Sequence, residues 1–194
     1  MSVYQDAALL VIDMQRGFLS PRSPLYIDGA AATVPACAAV IAACRDKGLP
    51  VFFVTRAYAA DGSDVENTRR AAWEAGGKPL SPGCDAEIST AMPKEFGSAE
   101  SDYHILKPRW SAFFATGLDL VLRRLGVRRV ILAGTTTPNC IRASCYDAIS
   151  LDYAVTVLSD CTSSKTPGIQ RDNLRDMANV GAEVLDSAAL IQAL

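Results

Sequence analysis

Apolar residues rich in Val, Ile and Leu gather in five short runs: ALLVI at 8–12, PVFFVT at 50–55, RVILAG at 129–134, AVTVLSD at 154–160 and AEVLD at 182–186. Within the runs, polar residues do not alternate with apolar ones as they would on a half-solvated strand. Strands buried on both faces read this way, and they belong in parallel sheets covered by helices. The intervening segments show helical spacing instead. At 116–125, Leu118, Val121, Leu122 and Leu125 share one face, Thr116 with Asp119 forms a capping signature, and Gly126 follows as a stop. The stretch 30–47, closed by Gly48, reads alike.

Strand, helix and strand in repetition predict an α/β fold with a doubly wound, Rossmann-like sheet, mostly parallel and of about six strands, flanked by helices. In such sheets ligands bind beyond the carboxyl ends of the strands. Chemistry is therefore expected just after each apolar run. The segment 57–100, rich in Gly, Pro, Ser and Asp, reads as excursion loops with one short helix near 65–75 and no domain break, so residues 1–194 are expected to form a single domain.

Composition narrows the partners. With 21% charged residues and a net charge of −2, the chain lacks the basic excess that accompanies nucleic acid or anionic membrane. A small-molecule substrate is the expected partner, with no nucleic acid and no membrane. The first apolar run is too short to span a bilayer and has no basic flank, so nothing directs export. Six cysteines, at 37, 44, 84, 140, 145 and 161, lack C-x-x-C spacing and read as reduced thiols, which points to the cytoplasm.

Three strand ends carry candidate chemistry. Asp13 follows the first run and is either a turn residue or a carboxylate at the sheet edge. Lys107, held in extended chain by Pro108, is either a solvated charge or a buried partner. Cys140 follows RVILAG and opens CIRASCYDAI, in which Ile141, Cys145 and Ala148 would face inward. A thiol at a helix N-terminus is expected to have a lowered pKa, and the free N–H groups there could hold an oxyanion. It is otherwise an inert small residue. Together the three would converge on one pocket, with Asp13 taking the thiol proton as His does in a Cys–His pair. The single histidine, His104, is expected only to pack or hydrogen-bond locally.

At these residues the sequence resembles the isochorismatase-like cysteine hydrolases, a superfamily that includes nicotinamidases, N-carbamoylsarcosine amidase, ureidoacrylate and biuret amidohydrolases, and isochorismatase. LLVIDMQRGF, VFFVTR, KPRWSAFFATGLD, GTTTPNCIRASCYDA and VTVLSDCTSS carry the likeness across nearly the whole chain. The resemblance implies Asp13 as base, Lys107 as electrostatic partner and Cys140 as nucleophile. It also implies a cis peptide between Thr135 and Thr136, with the N–H groups of Thr136 and Cys140 as oxyanion hole, and assembly as a dimer or tetramer.

Departures from the family pattern refine the expectation. Nicotinamidases usually hold a metal through an Asp and histidines after the second strand, whereas TRAYAADGSD contains no histidine. No metal and no cofactor are expected. Cys140 argues against the vinyl ether chemistry of isochorismatase, which does not need a thiol. KPRWSAFFATGLD looks like the ureidoacrylate and biuret branch. The reading is a metal-independent cysteine amidohydrolase that cleaves a small linear amide, ureide or carbamoyl compound through a Cys140 thioester. Its alternatives are an isochorismatase-type hydrolase or a nicotinamidase, a catalytically silent binding protein of the same fold, and a redox sensor pairing Cys140 with Cys145 or Cys161. Gln15, Phe18, Trp110 and Asn139 are nominated to bind substrate. Arg56 and Arg142 are expected to be surface ion-pair residues before substrate ligands, and Asp160, which could cap the next helix, stays outside the catalytic set.

Overall fold

The structure is a computed structural model and describes residues 3–194. Six strands form one sheet: β1 Ala7–Ile12, β2 Val51–Thr55, β3 Tyr103–Leu106, β4 Arg129–Thr135, β5 Ala154–Ser163 and β6 Glu183–Leu185. Their order is β3-β2-β1-β4-β5-β6, and every pairing is parallel. The sheet is thus wholly rather than mostly parallel. Strand order reverses between β1 and β4, which opens a crevice at their carboxyl ends.

Among the described residues, seven α-helices flank the sheet: α1 Arg16–Leu19, α2 Val34–Asp46, α3 Arg70–Ala75, α4 Leu118–Arg124, α5 Arg142–Ser150, α6 Pro167–Asn179 and α7 Ser187–Ala193. Successive side chains of β1 go to opposite faces, and both faces are dry. Ala7, Leu9 and Val11 pack with Cys37, Val40, Ile41 and Cys44 of α2 and Leu190 of α7. Ala8, Leu10 and Ile12 pack with Leu118 and Leu122 of α4, Cys145 and Ala148 of α5, and Met177 of α6. This two-sided burial explains the unbroken apolar runs, and each buried Leu or Ile contributes about 1.5–3 kcal/mol. Among the described residues, no helix is long and apolar enough to cross a membrane.

Several local expectations are corrected. Helix α4 starts at Leu118 with Gly117 as its N-cap, so Thr116 and Asp119 form no capping box. The Thr116 hydroxyl accepts from the Leu118 N–H and donates to the Ala112 carbonyl, while Asp119 pairs with Arg123 and accepts from the Tyr153 hydroxyl. Leu125 lies past the helix end and is exposed. The sheet's edge strand β3, YHIL, alternates half-buried and exposed residues, so it lacks the apolar run that marks its neighbours. Strand β5 extends to Ser163 because its register against β4 shifts between Leu132 and Gly134. The extra residues carry Asp160 outward, where its carboxylate accepts from the N–H and hydroxyl of Ser187 at the start of α7.

Candidate active site

Asp13, Lys107 and Cys140 follow β1, β3 and β4, and the fold brings all three together. Lys107 extends the β3 ladder through its N–H to the Thr55 carbonyl, 2.9 Å away. From that edge its side chain crosses the end of β2. Lys107 Nζ lies 2.8 Å from Asp13 Oδ2, donates to the Arg109 carbonyl at 2.9 Å, and lies 3.6 Å from Cys140 Sγ. Asp13 and Lys107 are fully buried, and Cys140 is 4% exposed. Asp13 adopts φ +54°, a left-handed conformation that Asp tolerates better than most residues, and the chain turns sharply there. Although Lys107 is at ion-pair distance, neither Asp13 oxygen has an aligned hydrogen-bond donor among the described residues. The carboxylate is therefore compensated in charge by Lys107.

Cys140 does not begin a regular α-helix. It sits in a wide, π-type turn, Thr137–Ile141, that leads into α5. Burial, and then the Asp13 charge, push its thiol up to about 12, with Lys107 and Arg56 opposing them. This overturns the expectation of a depressed thiol pKa. A helix-end dipole acts over about one turn and contributes little against complete desolvation beside a carboxylate. Burial beside the Asp13 charge thus favours the neutral thiol.

The residues before Cys140 explain the run of three threonines. Gly134 has φ +117°, and a Cβ there would lie 2.0 Å from the Ile12 carbonyl oxygen, so β4 can approach β1 this closely only without a side chain. The Thr135–Thr136 peptide is cis. Thr135 Oγ1 accepts from the Ser163 hydroxyl at 3.0 Å, and the Thr136 hydroxyl donates to the Ser163 carbonyl at 3.1 Å. Thr137 Oγ1 lies 3.0 Å from that same carbonyl and 2.6 Å from Gln170 Oε1. Gln170 in turn donates to the Thr162 carbonyl and hydroxyl at the end of β5. Three hydroxyls thus fasten the turn to β5. Ser144 fastens it from the other side: its hydroxyl donates to the Cys140 carbonyl at 2.7 Å and accepts from the Ala112 N–H at 2.9 Å. The second bond ties the Lys107 loop to the cysteine turn.

Cys140 opens onto a cavity of about 290 Å³. Thr136, Asn139, Phe18 and Trp110 line it, as does the 57–100 excursion through Tyr58, Val65, Arg69 and Trp73. That excursion therefore covers this chain's own pocket. Gln15 is nominated wrongly: it is fully buried and outside the lining. Its amide donates to the carbonyls of Arg56 and Thr90 and accepts from the Arg56 N–H, which locks the end of β1 to the end of β2. Arg56, expected at the surface, is 1% exposed, pairs with the buried Glu66, and lies over the Tyr58 and Trp110 rings. Arg142 is the surface residue expected, pairing with Asp176. His104 is exposed and stacks on Phe53.

Ser144, Ser163 and Gln170 escaped the sequence reading. A Ser or Gln that aims a turn looks like any other polar residue until the fold reveals its partner. The residues after β2 do not suit a metal. Asp61 and Asp64 each accept a backbone N–H within their own loop, and no cluster of three or more His, Cys, Asp or Glu that could hold a metal occurs among the described residues.

Fold and site together are those of an α/β protein that presents a buried Asp–Lys–Cys cluster at the strand-order reversal. The sequence model of the isochorismatase domain matches residues 7–189, and the chain belongs to that family. A plant protein named as a probable inactive nicotinamidase, from Arabidopsis thaliana, is 38% identical over 93% of this chain and 92% of its own length. Maleamate amidohydrolase of Pseudomonas putida is 32% identical, covering 96% of this chain and 86% of its own. Among solved structures, an isochorismatase family protein from Desulfovibrio vulgaris superposes with a TM-score of 0.89 at 37% identity, covering 96% of this chain and 97% of its own.

Proposed function

We propose that this chain is a metal-independent cysteine amidohydrolase acting on a small linear amide, ureide or carbamoyl compound. The chain belongs to the isochorismatase family, and its relatives include named amidohydrolases, which supports a hydrolase acting on C–N bonds. One observation carries the finer reading: a buried Asp13–Lys107 pair lies beside Cys140, which alone of the three lines the cavity.

In this mechanism the substrate carbonyl enters above Cys140, Asp13 takes the thiol proton, and sulfur attacks the carbonyl carbon. Lys107 holds the charge on Asp13 while the proton is absent and stabilises the thiolate as it forms. The negative oxygen of the tetrahedral intermediate is stabilised by the N–H groups of Thr136 and Cys140. The intermediate collapses as the amine leaves with the proton returned from Asp13. Asp13 then deprotonates a water that attacks the thioester, which releases the acid and restores the thiol.

Ammonia release from a panel of small amides, ureides and carbamoyl compounds, nicotinamide included, tests this. Wild type should act on at least one member, and Cys140→Ala should abolish that turnover. Turnover surviving in Cys140→Ala would rule out the thioester route. The name of the plant relative favours a second reading, a silent binding protein. Silence across the panel with ligand binding intact would select it.

A further inference from the structure

The strand ends hold a third charge that the proposed steps do not use. Arg56 follows β2 directly, and β2 lies between β3, which leads to Lys107, and β1, which leads to Asp13. The Arg56 guanidinium is buried over two rings, 5.1 Å from the Tyr58 centroid and 5.8 Å from that of Trp110. Its Nη2 pairs with Glu66 Oε1 and donates at 3.2 Å to the carbonyl of Pro108, the neighbour of Lys107. Its Nε has no hydrogen-bond partner among the described residues. Glu66 is buried too, and its other oxygen accepts from the Tyr58 hydroxyl at 2.9 Å. Arg56 lines the Cys140 cavity and Glu66 does not, so the pair turns its cation toward the sulfur. Arg69, Lys165, Tyr26 and Tyr58 also face that cavity, from the excursion and from other loops. Against burial and the Asp13 charge at Cys140, the opposing cations are Lys107 and then Arg56. Away from water a charge is poorly screened and acts beyond contact, and a carboxylate beside it cancels part of its field.

We propose that Arg56 is a second cation of the active site and Glu66 its positioning residue: Glu66 holds the guanidinium against the cavity and, by cancelling part of its charge, sets how readily the Cys140 thiolate forms. The excursion after β2 thereby acts on Cys140 through Arg56. Two contacts tie that excursion to the strand ends, Glu66 to Arg56 and the Asp64 carbonyl, which accepts from Arg109 at 3.0 Å. The action on the thiol stands on the cavity alone, whereas the action on turnover rests on the amidohydrolase reading above.

Two variants of the full chain separate charge from shape. Glu66→Gln keeps an oxygen for Arg56 and leaves the guanidinium uncompensated; Arg56→Met with Glu66→Gln removes both charges and leaves no buried ion unpaired. Iodoacetamide labelling of Cys140 at pH 8, read by peptide mass spectrometry, should be about threefold or more faster in Glu66→Gln than in wild type and than in the double variant. A wall that is merely loosened would speed labelling in both variants. Labelling of Glu66→Gln that fails to exceed either the wild type or the double variant would therefore overturn the proposal, and the amidohydrolase reading would still stand or fall by its own ammonia assay. Faster labelling of Glu66→Gln in a protein without turnover would keep the electrostatic role and remove the amidohydrolase. With a substrate found in that assay, the double variant should lose kcat by a larger factor than it gains in KM, and Arg56→Lys should retain part of kcat. An unchanged kcat in the double variant would confine Arg56 to the cavity wall and overturn its place in the active site.

Discussion

Replacing Lys107 by Met should unfold the protein more readily than any surface change, for a reason visible in the site. Lys107 Nζ lies 2.8 Å from Asp13 Oδ2, and both side chains are fully buried. Without the ammonium, Asp13 is a buried carboxylate with no compensating charge. Breaking one partner of such a pair costs about 3–5 kcal/mol. At about 2–4 °C per kcal/mol for a chain of this size, that lowers Tm by roughly 6–20 °C. Asp13→Asn should have a similar but smaller effect, because Lys107 keeps the Arg109 carbonyl. Asn is the suitable replacement, since it also tolerates φ +54°. The double variant removes both charges and should recover most of the loss, since neutral groups carry no such desolvation penalty. Amide hydrolysis should be lost in all three proteins, so stability returns while activity does not. Urea unfolding and thermal melting at pH 7 provide the cycle. Single variants that lose less than about 1 kcal/mol, or a double variant as unstable as the sum of the singles, would refute the description of a tightly coupled, dry ion pair.

Other outcomes follow from the same geometry. Gly134→Ala places a methyl against the Ile12 carbonyl at 2.0 Å in a left-handed backbone, so a loss of more than about 4 kcal/mol is expected in chemical denaturation. Ser144→Ala leaves the Ala112 N–H and the Cys140 carbonyl without their bridge; it should cost about 1–3 kcal/mol and lower kcat more than it raises KM. Iodoacetamide should label Cys140 slowly at pH 7 and faster toward pH 12, and Asp13→Asn should speed labelling at pH 8 while abolishing turnover, because the Asp13 charge helps to raise the thiol. Stability should also fall at high pH. Burial pushes Cys44 up to about 12 and Cys145 to about 11, and Cys140 stands at about 12. Below pH 9 these thiols are protonated in both states and cost nothing. Above pH 9 they ionise only in the unfolded chain, up to about pH 11 for Cys145 and about pH 12 for Cys44 and Cys140, which lowers stability by about 1.4 kcal/mol per pH unit for each thiol over its own window, readable as a falling Tm.

Elements whose signal is local could be read directly from the sequence. The two-sided burial of β1, β2 and β4 writes itself into uninterrupted apolar runs, and the ends of β1 and β4 mark Asp13 and Cys140 as neighbours before any coordinates, whereas Lys107 follows an edge strand with no such run and is marked by its motif. Features set by long-range partners were illegible. Gln15 reads as a substrate ligand because nothing local announces that Arg56 and Thr90 will use up its amide. Arg56 reads as a surface charge because its partner Glu66 lies in an excursion loop with no periodic pattern. The direction of the thiol's pKa is not legible either, because the dipole at a helix start can be read from sequence, whereas burial beside a carboxylate cannot. Thr116 went to a different partner because the chain before α4 folds back on Ala112.

The central claim is that Cys140 becomes covalently acylated during turnover. Rapid acid quenching of wild type at steady state, with the substrate found in the ammonia assay, followed by peptide mass spectrometry, tests it directly. The peptide containing Cys140 should gain the mass of the substrate's acyl portion without its leaving amine, and hydroxylamine should remove that mass. Steady turnover with an unmodified Cys140 peptide, or with the acyl group on another residue, would contradict the assignment.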